Sequence, residues 1–270
     1  MLSICAVIAV RNEELYLPVL LPTLAAQSID VAIIDHQSTD SSRRICSEHN
    51  GNPVVLMVTL EYEGVYSQTK QLEAKRLVYS RLPHEWVVHQ DADEILEDAG
   101  PSRSLRDAIE EADRLGHNAL NFDEFVFLPE PEADYRGTDF YHSMLRYYFF
   151  EPQKNRLNRA WRRDLAVDNL QTGGHVLGGE GLRLFPENHN LRHYIMLSYE
   201  HGKSKYLHRR FGEEDLRRGW HGGPFGDRLN FTDRNLQLPA ASPYLFQLEK
   251  GDSRAFRRDV PTQRHYWLWE

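Results

Sequence analysis

Five apolar, β-rich runs alternate with helix-like stretches over the first 128 residues. The strand-like runs cover residues 3–10, 31–35, 54–60, 86–91 and 119–128, and the helix-like stretches cover about residues 13–27, 41–49, 67–80 and 103–115. Strands that alternate with helices predict an α/β fold with a mainly parallel central sheet and helices on both faces. Ligands of such sheets bind outside the carboxyl ends of the strands, so we expect functional residues in the loops after the strands.

The length of the chain, 270 residues, suits one large α/β domain with an appendage. We predict that residues 1–200 form this main domain, and that residues 201–270 form a mainly helical C-terminal extension packed on it. The net charge of −8 provides no overall basic field, which argues against nucleic acid as a partner.

Two cysteines and the N-terminal run bear on the location of the protein. Cys5 and Cys46 cannot form a disulfide framework, which indicates a reducing compartment. The apolar run "LSICAVIAV" lacks a basic lead and is too short for a membrane span or a signal segment, so it predicts a buried first strand. We therefore expect a cytoplasmic protein without a membrane span, and peripheral association with a membrane is compatible with this expectation.

Three carboxylates, Asp91, Asp93 and Glu94, follow the apolar run "EWVV" in the stretch "HQDADEIL". Like charges this close together are costly unless a positive group lies between them. Two aspartates one residue apart at a strand end can bind one divalent ion, and Mg²⁺ or Mn²⁺ prefers such oxygen ligands and also binds phosphate oxygens. The alternative is an acidic turn that caps the next helix.

Four segments within residues 3–96 form an ordered set: "AVIAVRNEE", "IIDHQSTDSS", "KQLEAKR" and "WVVHQDADEIL". As a set they resemble the motifs of a family-two-type glycosyltransferase. The later "LRHYIMLSYEHGKSKY" resembles a C-terminal signature of bacterial members. Two features depart from the family: Ala74, Lys75 and Arg76 replace an Ala-Arg-Asn motif, and two elements of processive synthases have no clear counterpart. The resemblance implies the GT-A nucleotide-diphosphosugar transferase fold.

The resemblance also implies a nucleotide base pocket at the ends of the first two strands. In it Asn12 and Glu13 line the pocket, and Asp35 hydrogen-bonds the pyrimidine edge. Each residue has a structural alternative. Asn12 and Glu13 also suit a helix N-terminus, where the acidic side chain meets the helix dipole, and Asp35 also suits a helix cap.

The metal site that the resemblance implies contains Mn²⁺ or Mg²⁺. Asp93 is its direct ligand, Asp91 contacts the ribose or holds a water on the ion, and His193 completes the coordination. A lone histidine is also common as a structural core residue, so this reading of His193 remains an alternative.

Two pairs of cations are predicted to reach the diphosphate of the donor. Lys75 and Arg76 lie on the helix-like stretch before the fourth strand, and one of the two is expected to bind the diphosphate or the Asp91 carboxylate. Lys203 and Arg210 share one helical face because of their spacing. For both pairs the alternative is a solvated face of charged residues.

The catalytic base is expected to be a carboxylate or an imidazole within reach of an acceptor hydroxyl. Glu124, in the strand-like "NFDEFVF" with Asp123, is a candidate because burial raises the pKa of a carboxylate. His175 in "TGGHVLGG" is a second candidate because the glycines allow a close approach to a sugar, and a flexible turn is the alternative. Glu180 is a third.

These observations predict a metal-dependent enzyme that moves a sugar from a nucleotide diphosphosugar, expected to be a UDP-sugar, to a saccharide or other hydroxyl acceptor. Synthesis of a surface polysaccharide or a glycoconjugate would use such an activity. A sugar nucleotidyltransferase is an alternative, although it needs a glycine- and arginine-rich loop after the first strand. The other alternative is a non-catalytic protein of the same fold that binds a nucleotide or a carbohydrate.

Overall fold

The structure is a computed structural model, and it describes residues 1–222 and 228–270. Twelve strands are found among these residues: β1 Ile4–Val10, β2 Asp30–Asp35, β3 Val54–Thr59, β4 Trp86–Gln90, β5 Glu94–Glu97, β6 Ala119–Phe127, β7 Arg146–Phe150, β8 Asn158–Arg162, β9 Val167–Asp168, β10 Gly178–Gly179, β11 His189–Tyr194 and β12 Phe246–Gln247. The α-helices among them are α1 Leu17–Ala26, α2 Ser42–Glu48, α3 Gln68–Tyr79, α4 Leu105–Arg114, α5 Phe140–Ser143, α6 Tyr199–Tyr206 and α7 Glu213–Arg217.

The alternation predicted for the first half of the chain is confirmed. Each of the five strand-like runs corresponds to one strand, β1, β2, β3, β4 or β6, and each of the four helix-like stretches contains one helix from α1 to α4. The strand boundaries agree within one residue. The largest difference is at the start of α1, because the residues before Leu17 form turns that connect to the loop after β2.

The chain divides into two compact units whose segments interleave. The first unit contains Met1–Glu63, Gln68–Phe122 and Asn155–His189, and the second contains Gly64–Ser67, Asp123–Lys154 and Asn190–Glu270. Strand β6 contributes its first four residues to the first unit and the remainder to the second. The predicted boundary between a main domain and an extension at residue 200 stays a prediction.

The first unit is built on a sheet with the strand order β6-β8-β4-β1-β2-β3. Strands β4, β1, β2 and β3 are parallel, whereas β8 runs antiparallel to both β4 and β6. Strand β1 lies at the centre of the parallel part, and almost all of its residues are buried, as expected for a strand covered on both faces. The α/β class and the parallel core are therefore confirmed.

Local sequence explains where the helices of this unit begin and how they pack. Helix α4 begins after Ser104, whose side chain accepts a hydrogen bond from the backbone of Asp107 while the Asp107 carboxylate accepts one from the backbone of Ser104. Helix α1 buries four leucines at the spacing of one helical face: Leu17, Leu20, Leu21 and Leu24.

The second unit contains an antiparallel ladder in which β7 lies between β6 and β12. Aromatic side chains fill its core. The whole run Tyr147–Phe150 is buried, and the rings of Phe125 and Phe256 stack with centroids 3.9 Å apart. These aromatic residues of the ladder pack against one another, so they form a core and not a stacking platform for a ligand.

The residues after position 200 contain the greater part of α6, the short helix α7, two 3₁₀ helices and the two-residue strand β12. Most of the other described residues of this segment lie in turns and irregular segments. The assignment of residues 201–270 as a mainly helical extension stays a prediction. Across residues 1–222 and 228–270, no helix is long and apolar enough to cross a membrane.

Candidate functional site

The carboxyl ends of β1, β2 and β4 lie at one edge of the sheet of the first unit. The parallel registers place Val10 opposite Asp35 and Ile8 opposite Gln90. Asp91 directly follows Gln90. Asp35, the carboxylate predicted to recognise the base, and the acidic stretch that begins at Asp91 therefore lie at the same edge of the sheet. This edge is where an open parallel sheet binds its ligands.

Asp35 ends β2 with its side chain buried at 1% exposure. One carboxylate oxygen accepts a hydrogen bond from the backbone N–H of Ser38 at 3.0 Å, and the other accepts one from the guanidinium of Arg43, also at 3.0 Å. The Arg43 side chain is itself 54% exposed. Asp35 is therefore a fixed acceptor, and Arg43, the charged partner among these two contacts, is a surface side chain.

Asn12 connects the loop after β1 to the loop after β2. Its side-chain oxygen accepts a hydrogen bond from the backbone of Thr39 at 2.8 Å, and its backbone N–H donates to the Ser38 hydroxyl at 3.1 Å. Asn12 has a left-handed backbone with φ of 58°, a conformation that asparagine tolerates better than most residues. The backbone N–H of Glu13 donates to the Ser42 hydroxyl at 2.7 Å. The predicted pocket residues thus fix the shape of this edge.

An aromatic group beside the end of β2 was missed by the sequence analysis. The Arg11 guanidinium lies 3.2 Å from the centroid of the Tyr62 ring and donates to the carbonyl oxygens of His36 and Gln37. The side-chain oxygen of Gln37 accepts from the Tyr62 backbone at 3.0 Å. Arg11 is next to Asn12, a predicted pocket residue. Tyr62 follows β3, and no local sequence pattern indicates that it lies near the end of β2.

Two cations of the chain itself lie among the carboxylates of the acidic stretch. The Lys75 ammonium donates to Asp91 Oδ1 at 2.8 Å. The Arg159 guanidinium donates to Glu94 Oε1 at 2.5 Å and lies 3.5 Å from Asp91 Oδ2. These contacts supply the positive charge that the sequence of three carboxylates requires.

Lys75 is the member of its predicted pair that reaches the acidic stretch. Its side chain is 2% exposed and also donates to the carbonyl oxygen of Gln90 at 2.8 Å, whereas Arg76 is exposed on another face of α3. Burial lowers the pKa of Lys75, and the Asp91 carboxylate opposes this shift. Lys75 is therefore a buried partner of Asp91.

His89 and Asn169 extend this network into the interior of the first unit. His89 Nε2 lies 3.2 Å from the Lys75 ammonium, and His89 Nδ1 lies 3.1 Å from the side-chain nitrogen of Asn169. Burial, with the nearby charges of Lys75 and Arg159, holds the pKa of His89 well below its usual range, so the imidazole is neutral. Gly174 packs against His89, and an added Cβ would lie only 3.3 Å from the imidazole ring.

Arg159 is the most important residue that the sequence analysis missed. Its side chain is 4% exposed, and it comes from β8, which pairs antiparallel with β4. Burial alone would lower the pKa of Arg159, but the carboxylates of Glu94 and Asp91 have the larger effect and raise it. Desolvation at the end of a buried strand likewise opposes ionisation of Asp91, yet Lys75 and Arg159 hold the pKa of Asp91 well below its usual range.

The donor set of the acidic stretch fits a divalent ion only together with ligand phosphates. Asp91 is 44% exposed and Asp93 is half-buried. Within residues 1–222 and 228–270, no group of three or more His, Cys, Asp or Glu side chains is placed to hold a metal ion. Mg²⁺ is commonly bound through one or two carboxylates plus substrate phosphates, so the protein itself needs to supply only one or two ligands. The assignment of Asp93 as a metal ligand stays a prediction.

The predicted catalytic residues fall into two groups. His175 and Glu180 are exposed in the first unit. In the second unit Glu124 and His193 form a close pair, because His193 Nδ1 lies 2.6 Å from Glu124 Oε1. The side chain of Glu124 is 7% exposed and that of His193 is 16% exposed. The two residues that were assigned separately to proton transfer and to metal binding are therefore partners.

The prediction that Lys203 and Arg210 share one helical face is wrong, because α6 ends at Tyr206 and Arg210 lies in the segment after it. The Lys203 ammonium pairs with Glu200 at 2.8 Å and lies 4.0 Å from Asp233, so its charge is balanced by neighbouring carboxylates. Arg210 is exposed, and its carbonyl oxygen accepts a hydrogen bond from the backbone of Tyr66. The predicted role of both residues in binding the diphosphate stays a prediction.

Comparisons with known proteins give structural neighbours only. No family model matches the chain, and no curated protein matches it. Among solved structures, it is similar to S. aureus TarS, a glycosyltransferase. The structure of TarS 1–349 is 12% identical with a TM-score of 0.43, and the match covers 71% of this chain and 60% of that chain. The complex of TarS 1–349 with UDP-GlcNAc is 13% identical with a TM-score of 0.46, covering 71% and 58%.

A third structure, of S. aureus TarS, is 13% identical with a TM-score of 0.46, and the match covers 87% of this chain and 47% of TarS. The chain thus spans less than two thirds of the TarS chains that it matches. Because the identities are low, the function proposed below rests on residues of this chain.

Proposed function

We propose that this protein is a glycosyltransferase that moves a sugar from a UDP-sugar to a hydroxyl acceptor with the help of Mn²⁺ or Mg²⁺. The observation that carries the proposal is the placement of Asp35 and Asp91 at one edge of a parallel sheet. One carboxylate suits a nucleobase, and the other begins an acidic stretch suited to a ribose and a metal-bound diphosphate. The ordered motifs of the sequence support the same function.

Recognition of uridine follows from the chemistry of Asp35. An ionised carboxylate only accepts hydrogen bonds, so it pairs with a base edge that presents an N–H group, as uracil does at N3. The ring of Tyr62, held by Arg11, offers a surface for stacking near the end of β2. In this proposal the uracil replaces Arg43 as the partner of Asp35.

The diphosphate is handled by the acidic stretch and its cations. Lys75 and Arg159 balance Asp91 and Glu94. In this proposal Asp91 contacts the ribose, and Asp93 binds a divalent ion that is shared with the phosphates. The ion, when bound, neutralises charge that develops on the departing diphosphate. Lys75 and Arg159 keep Asp91 ionised and in a fixed orientation, which is the contribution of the chain to this step.

The second unit provides the candidate for proton transfer. His193 is oriented by Glu124 across 2.6 Å, and a buried carboxylate beside an imidazole stabilises the imidazolium that forms when histidine accepts a proton. Within the second unit, we propose that Glu124 positions the imidazole of His193 to accept a proton. His175 and Glu180 are the alternatives in the first unit, and metal binding is the alternative role of His193.

Asp35→Ala is expected to weaken the binding of UDP by about 1.5 to 3 kcal/mol, because a charge-assisted hydrogen bond to the base is lost. Affinity can be measured by calorimetry for UDP and for ribose 5-diphosphate, which lacks the base. The variant should bind ribose 5-diphosphate as the native chain does. Equal affinity of native and variant chains for UDP would remove Asp35 from the base pocket.

A screen of nucleotide diphosphosugars tests the function itself. We expect the native chain, with Mn²⁺ and no acceptor, to release UDP slowly from one UDP-sugar, and a chelator to stop this release. A nucleotidyltransferase would instead release pyrophosphate from a nucleoside triphosphate and a sugar phosphate. A binding protein would take up UDP without turnover. Failure of every donor, with a panel of saccharide acceptors included, contradicts the proposal.

A further inference from the structure

Several cationic side chains lie over the ring of Tyr206 at the end of α6 in the second unit, among them Lys205, whose Nζ is 5.7 Å from the ring centroid. The guanidinium carbons of Arg209 and Arg228 lie 5.2 Å and 5.4 Å from the centroid of the Tyr206 ring. Arg228 also lies 5.5 Å from the ring of Trp267, and Arg209 lies 4.8 Å from the ring of Tyr66. We call Arg209, Arg228 and the indole N–H of Trp267 the Tyr206 donor group.

The acceptors expected for these donors are missing from the described part of the chain. No carboxylate among residues 1–222 and 228–270 lies within ion-pair distance of Arg209 or Arg228, although neighbouring cations do have such partners: Lys203 with Glu200 and Arg217 with Glu214. The indole nitrogen of Trp267 is buried without a hydrogen-bond partner in the same set of residues.

This arrangement is costly without a ligand. An arginine stacked on an aromatic ring contacts the ring through the face of its guanidinium. The N–H groups lie in the plane of the guanidinium and can still donate hydrogen bonds to two oxygens of a phosphate. Two such groups that share the Tyr206 ring repel each other, and a buried indole N–H without an acceptor carries a desolvation cost. An anion with several acceptor oxygens would relieve both.

The same two arginines also act on a neighbouring histidine, His221. His221 stacks on Phe211 with ring centroids 4.2 Å apart, and its Nε2 lies 3.3 Å from the buried Asp215 carboxylate. Burial and the charges of Arg228 and Arg209 lower the pKa of His221 to about 4, even though Asp215 acts in the opposite direction. Both guanidinium groups therefore act on one region of the second unit.

We propose that the Tyr206 donor group is a binding site for the phosphate group of a phosphorylated ligand. Arg209 and Arg228 would bind the phosphate oxygens through charge-assisted hydrogen bonds, and Trp267 would add a neutral donor. This site goes beyond the proposed function, which assigns no role to these residues. A phosphate group is present both in a nucleotide diphosphosugar and in a phosphorylated acceptor, so the experiment distinguishes these two sources.

Titration of the full chain with inorganic pyrophosphate, followed by calorimetry at low ionic strength without divalent ions, measures the site directly. Arg209→Gln and Arg228→Gln are each expected to weaken pyrophosphate binding at least about tenfold. Trp267→Phe keeps the ring and should weaken binding by a smaller factor. Arg217→Gln, the matched control, removes the same charge from an exposed pair with Glu214 and should leave the affinity unchanged.

A repeat of the titration in saturating UDP and Mn²⁺ identifies the source of the phosphate. If UDP abolishes pyrophosphate binding at the Tyr206 donor group, the ligand is the donor; if binding persists, the ligand is a second phosphorylated molecule. Two results overturn the site: no pyrophosphate binding by the native chain up to about 10 mM, or equal binding by the native chain and an Arg209→Gln, Arg228→Gln double variant that retains the native melting temperature.

Discussion

Glu94→Ala is expected to lower the free energy of unfolding by about 3 kcal/mol, because it leaves the buried guanidinium of Arg159 without its closest partner. The two side chains are 3% and 4% exposed, and their contact is 2.5 Å long. Breaking such a pair typically costs about 3 to 5 kcal/mol. Asp91 lies 3.5 Å from the same guanidinium and compensates part of its charge, so we expect the lower end of this range.

Denaturant titration measures the effect against a matched control. Glu48→Ala removes a carboxylate with a similar contact, 2.6 Å to Arg44, but those side chains are 58% and 64% exposed. An exposed pair of this kind contributes at most about 1 kcal/mol, and often much less. If Glu94→Ala is as stable as Glu48→Ala, the buried guanidinium of Arg159 does not depend on Glu94 for its charge compensation.

A double variant separates the charge from the packing. Replacing Glu94 by leucine and Arg159 by methionine removes both charges and retains much of the side-chain volume. Because hydrophobic replacement of a buried pair is often neutral or stabilising, this variant should recover most of the stability lost in Glu94→Ala. The same variant should lose activity, since Arg159 also orients Asp91. A pair retained for function and not for stability would behave in this way.

The sequence predicted the parallel core well because each element carries its own signal. Strand β1 is a continuous apolar run, and helix α4 shows both a capping box and an apolar face. Such patterns depend on residues that are close in the chain. The edge that carries Asp35 and Asp91 followed directly from the order of strands and helices.

The contacts of the candidate site were not predictable in the same way, because they join distant residues. Arg159 contacts Glu94 across 65 positions, and His193 contacts Glu124 across 69. The sequence indicated that the acidic stretch needs positive charge, but β8 had no apolar run to mark it as the strand that delivers Arg159. One local signal was available: Glu200, three positions before Lys203, predicts an ion pair on α6.

Asp93→Ala is expected to lower turnover by about 100- to 1000-fold, because the electrostatic stabilisation of the departing diphosphate is lost. The binding of UDP should also lose its dependence on Mn²⁺. Calorimetry of UDP binding with Mn²⁺ and with a chelator checks this for the native chain and the variant. Asp164→Ala is the control, since its carboxylate is 63% exposed and pairs with Arg162.

Substitutions of Asp91 and Asp93 should affect different properties, namely the stability of the fold and the metal-dependent binding of UDP. Asp91 is the partner of buried Lys75, so Asp91→Asn should lower the free energy of unfolding in the absence of metal and nucleotide. Asp93→Ala is expected to change the metal-dependent measurements. If native chain and Asp93→Ala bind UDP equally with Mn²⁺ and with chelator, the ion has no part in binding. The acidic stretch would then act through Lys75 and Arg159 alone.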